Sequence, residues 1–173
     1  PGIPTKLWDV QASRALGLVA AGAVAKRVSD GRDVEDKAFA PYKSSGVMYV
    51  SKKGPLARRL SPKGGEPTRG GKSVKYRRSY YQYRVDSGAS GRVNLTLSGQ
   101  LLRSITNIRS SATQVTIGVR GEAAIYGAHL QVAYKGRPAR RWFGLSRTDK
   151  TIIQRAAGPI MADAVARHRR LIS

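Results

Sequence analysis

An α+β fold follows from three features of this 173-residue chain. Segments at both ends, residues 5–28 and 146 onward, carry apolar residues at helical spacing, and an alternating hairpin pattern fills residues 105–119. Between them, residues 51–92 form a basic stretch whose Gly/Pro-rich first half cannot build a core. The expected architecture is a small, mainly antiparallel sheet flanked by an N-terminal helix and a C-terminal helix, with a long basic arm or loop. All of it belongs to one domain, residues 1–173.

The first helix is expected to start after Pro4 with Thr5 as its cap, and to end at the Ser-Asp-Gly of residues 29–31. Leu7, Val10, Arg14, Leu18 and Ala21 fall on one stripe, with Ala15, Val19 and Gly22 beside it. Its many small residues allow a second helix or a sheet to approach closely. GVMYV at 46–50 is a short strand candidate. The next segment holds eight Gly and Pro within residues 54–71, among cations, and reads as an exposed arm. VKYRRSYYQYRV at 74–85 favours an extended edge strand.

LSGQLLRSI at 97–105 predicts a short helix capped by Ser98, with Leu101, Leu102 and Ile105 on its buried side. Residues 105–109 and 114–119 flank SSAT as the two strands of a hairpin. EAAIYGAHLQVAY at 122–134 predicts a further helical segment. Ser146 and Asp149 form a capping-box variant that starts the last helix, where Gly158-Pro159 should kink or split it. Trp142, Phe143 and Leu145 are then core anchors at that helix start. The surrounding Arg137, Arg140, Arg141 and Arg147 are expected to face outward, toward a partner subunit or DNA.

The formal charge of +22 comes from 32 Lys+Arg against 10 Asp+Glu. That is far above the roughly 2 to 8 that suits a soluble small domain, so a polyanion or a strongly acidic protein surface is an expected neighbour. Residues 51–92 carry twelve cations against Glu66 and Asp86, and residues 137–173 carry nine against Asp149 and Asp163. Within these regions Lys52, Lys53, Arg58, Arg59, Lys63, Arg69, Lys72, Lys75, Arg77 and Arg78 join the four arginines above as candidate partner or DNA contacts. Tyrosines interleaved with cations at 75–84 offer stacking faces beside phosphate-binding charges, but such tyrosines are equally ordinary sheet residues.

Several chemistries are disfavoured. There is no cysteine, which rules out disulfides and thiolate metal sites. The longest uncharged run near the N-terminus, residues 15–25, is too short for the roughly 20 apolar residues of a membrane span, and no membrane contact is expected. Gly71-Lys72-Ser73 matches the end of a phosphate-binding loop, but Glu66 stands where the opening glycine belongs. The acidic cluster Asp30, Asp33, Glu35 and Asp36 lacks the calcium-loop pattern and reads as a polar loop neutralising Arg32 and Lys37. His129 reads as a hydrogen-bonded structural histidine, His168 as part of the basic C-terminal turn. No acid–base pair or nucleophile is set up, so neither an enzyme nor a cofactor is expected.

Five pieces in order, DGRDVEDKAFAPYK, LSGQLLRSI, VTIGV, YGAHLQ and RPARRWFGLSRTD, resemble the virion morphogenesis family of tailed phages, the Mu-like tail-completion and neck proteins. The last is the most specific: Pro138, Ala139, Arg140, Phe143, Gly144, Leu145, Ser146 and Asp149 match the family's pattern. RDVED looks like a small insertion, and YGAHLQ carries a His-Gln pair in place of a more usual Tyr-Ala. The resemblance implies a structural protein of the virion without enzymatic activity, assembled in the host cytoplasm into a hexameric or dodecameric ring at the head–tail junction. Its partners would be copies of itself, neighbouring connector, adaptor and tail proteins, and packaged DNA through non-specific contact. The alternative is a sequence-independent nucleic-acid-binding protein acting through a basic surface.

Overall fold

A computed structural model describes residues 9–42, 44, 46, 48–51, 65–67, 73–76, 79–86, 93, 95, 99–133 and 138–172. The fold is α+β, and the chain divides into two compact units, residues 1–40 with 94–173, and residues 41–93.

In the larger unit, helix α1 (Val10–Ser29) lies between a two-stranded antiparallel hairpin, β4 (Ile105–Ser110) with β5 (Val115–Val119), and the long helix α5 (Arg147–Ile172). The hairpin strands sit within a residue of the expected bounds, with a register irregularity between Asn107 and Arg109. Being covered on two sides dictates the composition of α1. Ala12, Ser13, Gly17, Ala20, Ala21, Ala23, Val24, Arg27 and Val28 are its buried residues, nearly all small. Gly17 marks the closest approach to the hairpin, since a Cβ there would stand 2.5 Å from the Asn107 amide nitrogen and 2.7 Å from a Val115 methyl.

The expected stripe on α1 is therefore corrected in part: Ala21 is buried, but Val10 and Leu18 are more than half exposed, and Arg14 is exposed beside them. A sandwiched helix buries small residues on two faces, so its largest apolar side chains do not mark the inside. Its cap is Asp9, whose Oδ1 accepts from the Ala12 N–H at 2.6 Å, and Thr5 and Leu7 lie outside the described residues.

Helix α3 (Gln100–Arg103) is a single turn with Gly99, in the left-handed region, at its N-cap; the proposed cap Ser98 lies outside the described residues. Leu101 and Ile105 are buried as expected, Leu102 half-buried. Helix α4 (Glu122–Gln131) buries only Ala123 and Gly127. Helix α5 runs unbroken through Pro159, which corrects the expected split. Proline removes one ladder hydrogen bond at a cost of about 3 kcal/mol, and packing along α1 offsets it.

The smaller unit holds strands β1 (Met48–Ser51), β2 (Gly65–Pro67) and β3 (Ser73–Tyr76), antiparallel in the order β1-β3-β2, and helix α2 (Tyr80–Asp86). Part of the expected exposed arm is thus a sheet. The expected strand over 74–85 is also corrected, because its second half is helical. Ser79 Oγ accepts from the Gln82 N–H at 3.1 Å and starts the helix, and Tyr80 then meets Tyr83 one turn on, ring centroids 6.3 Å apart. Tyr42 stands edge-on to Tyr80 at 4.9 Å, and the Arg84 guanidinium lies 5.2 Å over the Tyr42 ring. Two of the stretch's tyrosines, Tyr80 and Tyr83, are engaged in this cluster, Tyr83 buried in it.

Candidate interaction site

The site is built where the segment leading into α5 meets the loop after α1. Trp142 is 1% exposed, and its indole Nε1 donates to the Gly127 carbonyl of α4 at 2.9 Å. Gly127 has to be small, since a Cβ there would stand 2.6 Å from the Trp142 ring. Phe143 packs edge-on against Trp142 at 5.2 Å and is half-buried, while its carbonyl accepts from Gln131 Nε2 at 3.2 Å. The capping box forms as its sequence requires. Ser146 Oγ accepts from the Asp149 N–H at 3.1 Å, and Asp149 Oδ2 accepts from the Ser146 N–H at 3.0 Å.

One residue that the sequence reading passed over organises this segment. Arg27, near the end of α1 and only 4% exposed, donates from Nε to Asp149 Oδ2 at 2.8 Å. Its Nη2 donates to the carbonyls of Trp142 at 3.0 Å and Gly144 at 2.8 Å, and its Nη1 to that of Arg32 at 3.1 Å. The guanidinium fork thereby ties the end of α1, the following loop and the start of α5 together. The available signal was an arginine in phase with the small buried residues of α1.

The acidic loop closes the other side. Asp33 Oδ1 accepts from the Glu35 and Lys37 N–H groups, shaping the turn, and the Val34 N–H donates to the Arg141 carbonyl at 2.8 Å. Glu35 pairs with Lys37 at 2.8 Å and with Arg141 at 2.7 Å, and those two cations hold its carboxyl below the usual value. Asp36 Oδ2 accepts from the Thr148 N–H at 3.1 Å and the Thr148 hydroxyl at 3.0 Å. Desolvation pushes Asp36 up, but the hydrogen bonds from Thr148 and Ser146 and the nearby Arg27 charge outweigh it, leaving the carboxyl below its ordinary value. The expected neutralising role thus reaches beyond Arg32 and Lys37 to Arg141 and the start of α5.

The four arginines do not form one outward surface. Arg140 is buried at 9% exposure, its backbone N–H donating to the Leu130 carbonyl at 2.7 Å and its Nη2 to the Ala40 carbonyl at 3.5 Å, which corrects its outward assignment. Arg141 and Arg147 are exposed, and Arg137 lies outside the described residues. Leu145 is corrected in the opposite sense: at 41% exposure it is no core anchor, because Trp142 fills the space beneath α4. Lys52, Lys53, Arg58, Arg59, Lys63, Arg69, Lys72, Arg77 and Arg78 also lie outside the described residues. Lys75 sits in β3, in register with Tyr49 and Glu66 on the flanking strands. His129 is exposed on α4 rather than bonded in a core.

Other cations stand out instead. Lys150, Arg155 and Arg169 of α5 are exposed, on a helix that also presents Arg147 to solvent. Among the described residues no group of His, Asp and Glu could hold a metal ion, and no helix is long and apolar enough to cross a membrane. No protein-family model, curated protein or solved structure matches this chain.

Proposed function

We propose that this chain is a structural protein of a tailed-phage virion, forming a ring at the head–tail junction that joins connector to tail around the DNA channel. One observation carries the reading: stations of the family resemblance that lie far apart in sequence meet in space. The acidic loop of the first station bonds to Arg141 and Thr148 of the last. Gly127 of YGAHLQ accepts from Trp142, and Leu101 of LSGQLLRSI lies within 3.2 Å of a Cβ built on that glycine. Motif residues of a family that shares a fold are expected to cluster in this way, whereas chance matches would scatter. Apolar side chains left exposed on this unit, Ile125, Tyr126 and Val132 among them, suit a protein that associates.

The test is the mass of the purified chain by light scattering at several salt concentrations. A closed ring supports the reading. A monomer that binds duplex DNA tightly, with affinity falling steeply in salt, moves the assignment to a free nucleic-acid-binding protein. That second reading is favoured by the excess of positive charge alone.

A further inference from the structure

Seven of the ten acidic residues already accept bonds from their own chain: Asp9, Asp30, Asp33, Glu35, Asp36, Asp149 and Asp163. A second copy therefore offers few carboxylates, several of them already in surface pairs, against 32 cations. That excess favours an anion from outside, and α5 carries a row of exposed cations. Arg147, Lys150, Arg155 and Arg169 are exposed along it, and the first and last are about 33 Å apart at 1.5 Å rise per residue. Between Arg155 and Arg169 the exposed residues include Gly158, Pro159, Ala162 and Ala166, so no bulky side chain holds a partner away. The acid in that interval, Asp163, is bonded to Arg167.

We infer that the outer face of α5 is a docking surface for the phosphate backbone of duplex nucleic acid, bound without base readout. The inference rests on the ring reading only in supplying DNA as the neighbour. Protein partners are gripped by buried aromatic and apolar anchors; α5 exposes one large apolar side chain, Ile152, near its start, and the row of small residues between Arg155 and Arg169 offers none. Single strands are gripped by stacking on aromatic rings, and α5 has no Phe, Tyr or Trp, its one ring being the half-buried His168. Cations in line with a surface that permits close approach are what a phosphate backbone requires.

The experiment compares the full-length chain with two variants of equal charge, K150Q/R155Q/R169Q on α5 and R14Q/R109Q/R120Q, three exposed cations elsewhere on the same unit. Binding to a mixed-sequence DNA duplex is measured across a salt series, with polyglutamate as competitor. The α5 variant is expected to bind on the order of tenfold more weakly, with a log–log salt slope shallower by about 2.7, at about 0.9 per lost phosphate contact. The control variant is expected to keep the wild-type slope. Equal losses in both variants, an unchanged slope in the α5 variant, or stronger displacement by polyglutamate than by unlabelled duplex each overturns the inference. Light scattering on the same samples reads ring formation separately, so failure of the ring and failure of this surface are told apart.

Discussion

Arg27 and Asp149 are a buried ion pair, with side chains 3% and 1% exposed, and each is committed to backbone groups as well. Pairs of this kind add little over a well-packed apolar substitute, but removing one partner strands the other charge. Asp149→Asn is expected to destabilise the larger unit by about 3–5 kcal/mol, read from denaturant unfolding. It also weakens the acceptor of the capping box, so Ser146→Ala provides the comparison: it keeps the ion pair and loses the cap bond and the hydroxyl's bond to Asp36, at about 1–2 kcal/mol. Gly127→Ala tests the other side of the segment. Its Cβ meets the Trp142 ring rather than a flexible chain end, so overpacking of about 1–3 kcal/mol is expected, with the change visible in tryptophan fluorescence.

At the scale of elements, the starts of α1 and α5 are set by carboxylates. The Ala12 N–H holds the Asp9 carboxyl below its ordinary value, against desolvation and with help from Arg167, while Asp36 is held low at α5. A carboxylate with a lowered folded value stabilises fully above its unfolded value of about 3.9, and that contribution is lost as pH falls through the folded value. Thermal stability is therefore expected to hold down to about pH 4 and fall below it. Asp36→Asn should be less stable at neutral pH and show a shallower acid decline, measured by melting temperature against pH. Within α5, Gly158 has open space apart from its chain neighbours, but Pro159 follows it and disfavours helical backbone in a preceding residue that carries a Cβ, so Gly158→Ala is expected to gain less than the roughly 1 kcal/mol of helix propensity, read from denaturant unfolding.

These elements also show what the sequence made legible. The hairpin and the capping box could be read because strand alternation and helix capping are local rules, satisfied within a few residues. Strand β3 followed by α2 could not be separated by tyrosine content, since the deciding bond is one hydroxyl, that of Ser79, to one amide. The buried face of α1 escaped because two neighbours share it, which removes the single apolar stripe that periodicity detects. Arg27 and Arg140 escaped for a related reason. A charged residue is assigned to the surface unless its partners are known, and these partners lie on other elements, 122 residues away for the Arg27–Asp149 bond.

For the whole molecule, the balance of charge decides how copies meet. The described acids are largely engaged within the chain, so attraction between copies has to come from apolar contact against electrostatic repulsion. Any association between copies is therefore expected to strengthen as salt rises from about 0.05 to 0.5 M, since added salt shortens the reach of the repulsion. Duplex binding should weaken over the same range. Light scattering and a binding isotherm across that series give opposite trends if both hold. Association that weakens with salt would instead mean that copies meet through charge pairs.

The position of α1 between the hairpin and α5 has a consequence for how the chain is made. Its partners come from the second half of the sequence, and Asp149 follows Arg27 by 122 residues. At about 5–20 residues per second, roughly 6–24 s of synthesis separate the arginine from its carboxylate. The hairpin that covers one side is complete at Val119, but α5 begins only at Arg147, so until then α1 lacks the second surface that covers it and the larger unit cannot close. A ribosome-stalled chain ending before Arg147 should accordingly remain open to protease at α1, while the release of full-length chain should bring protection.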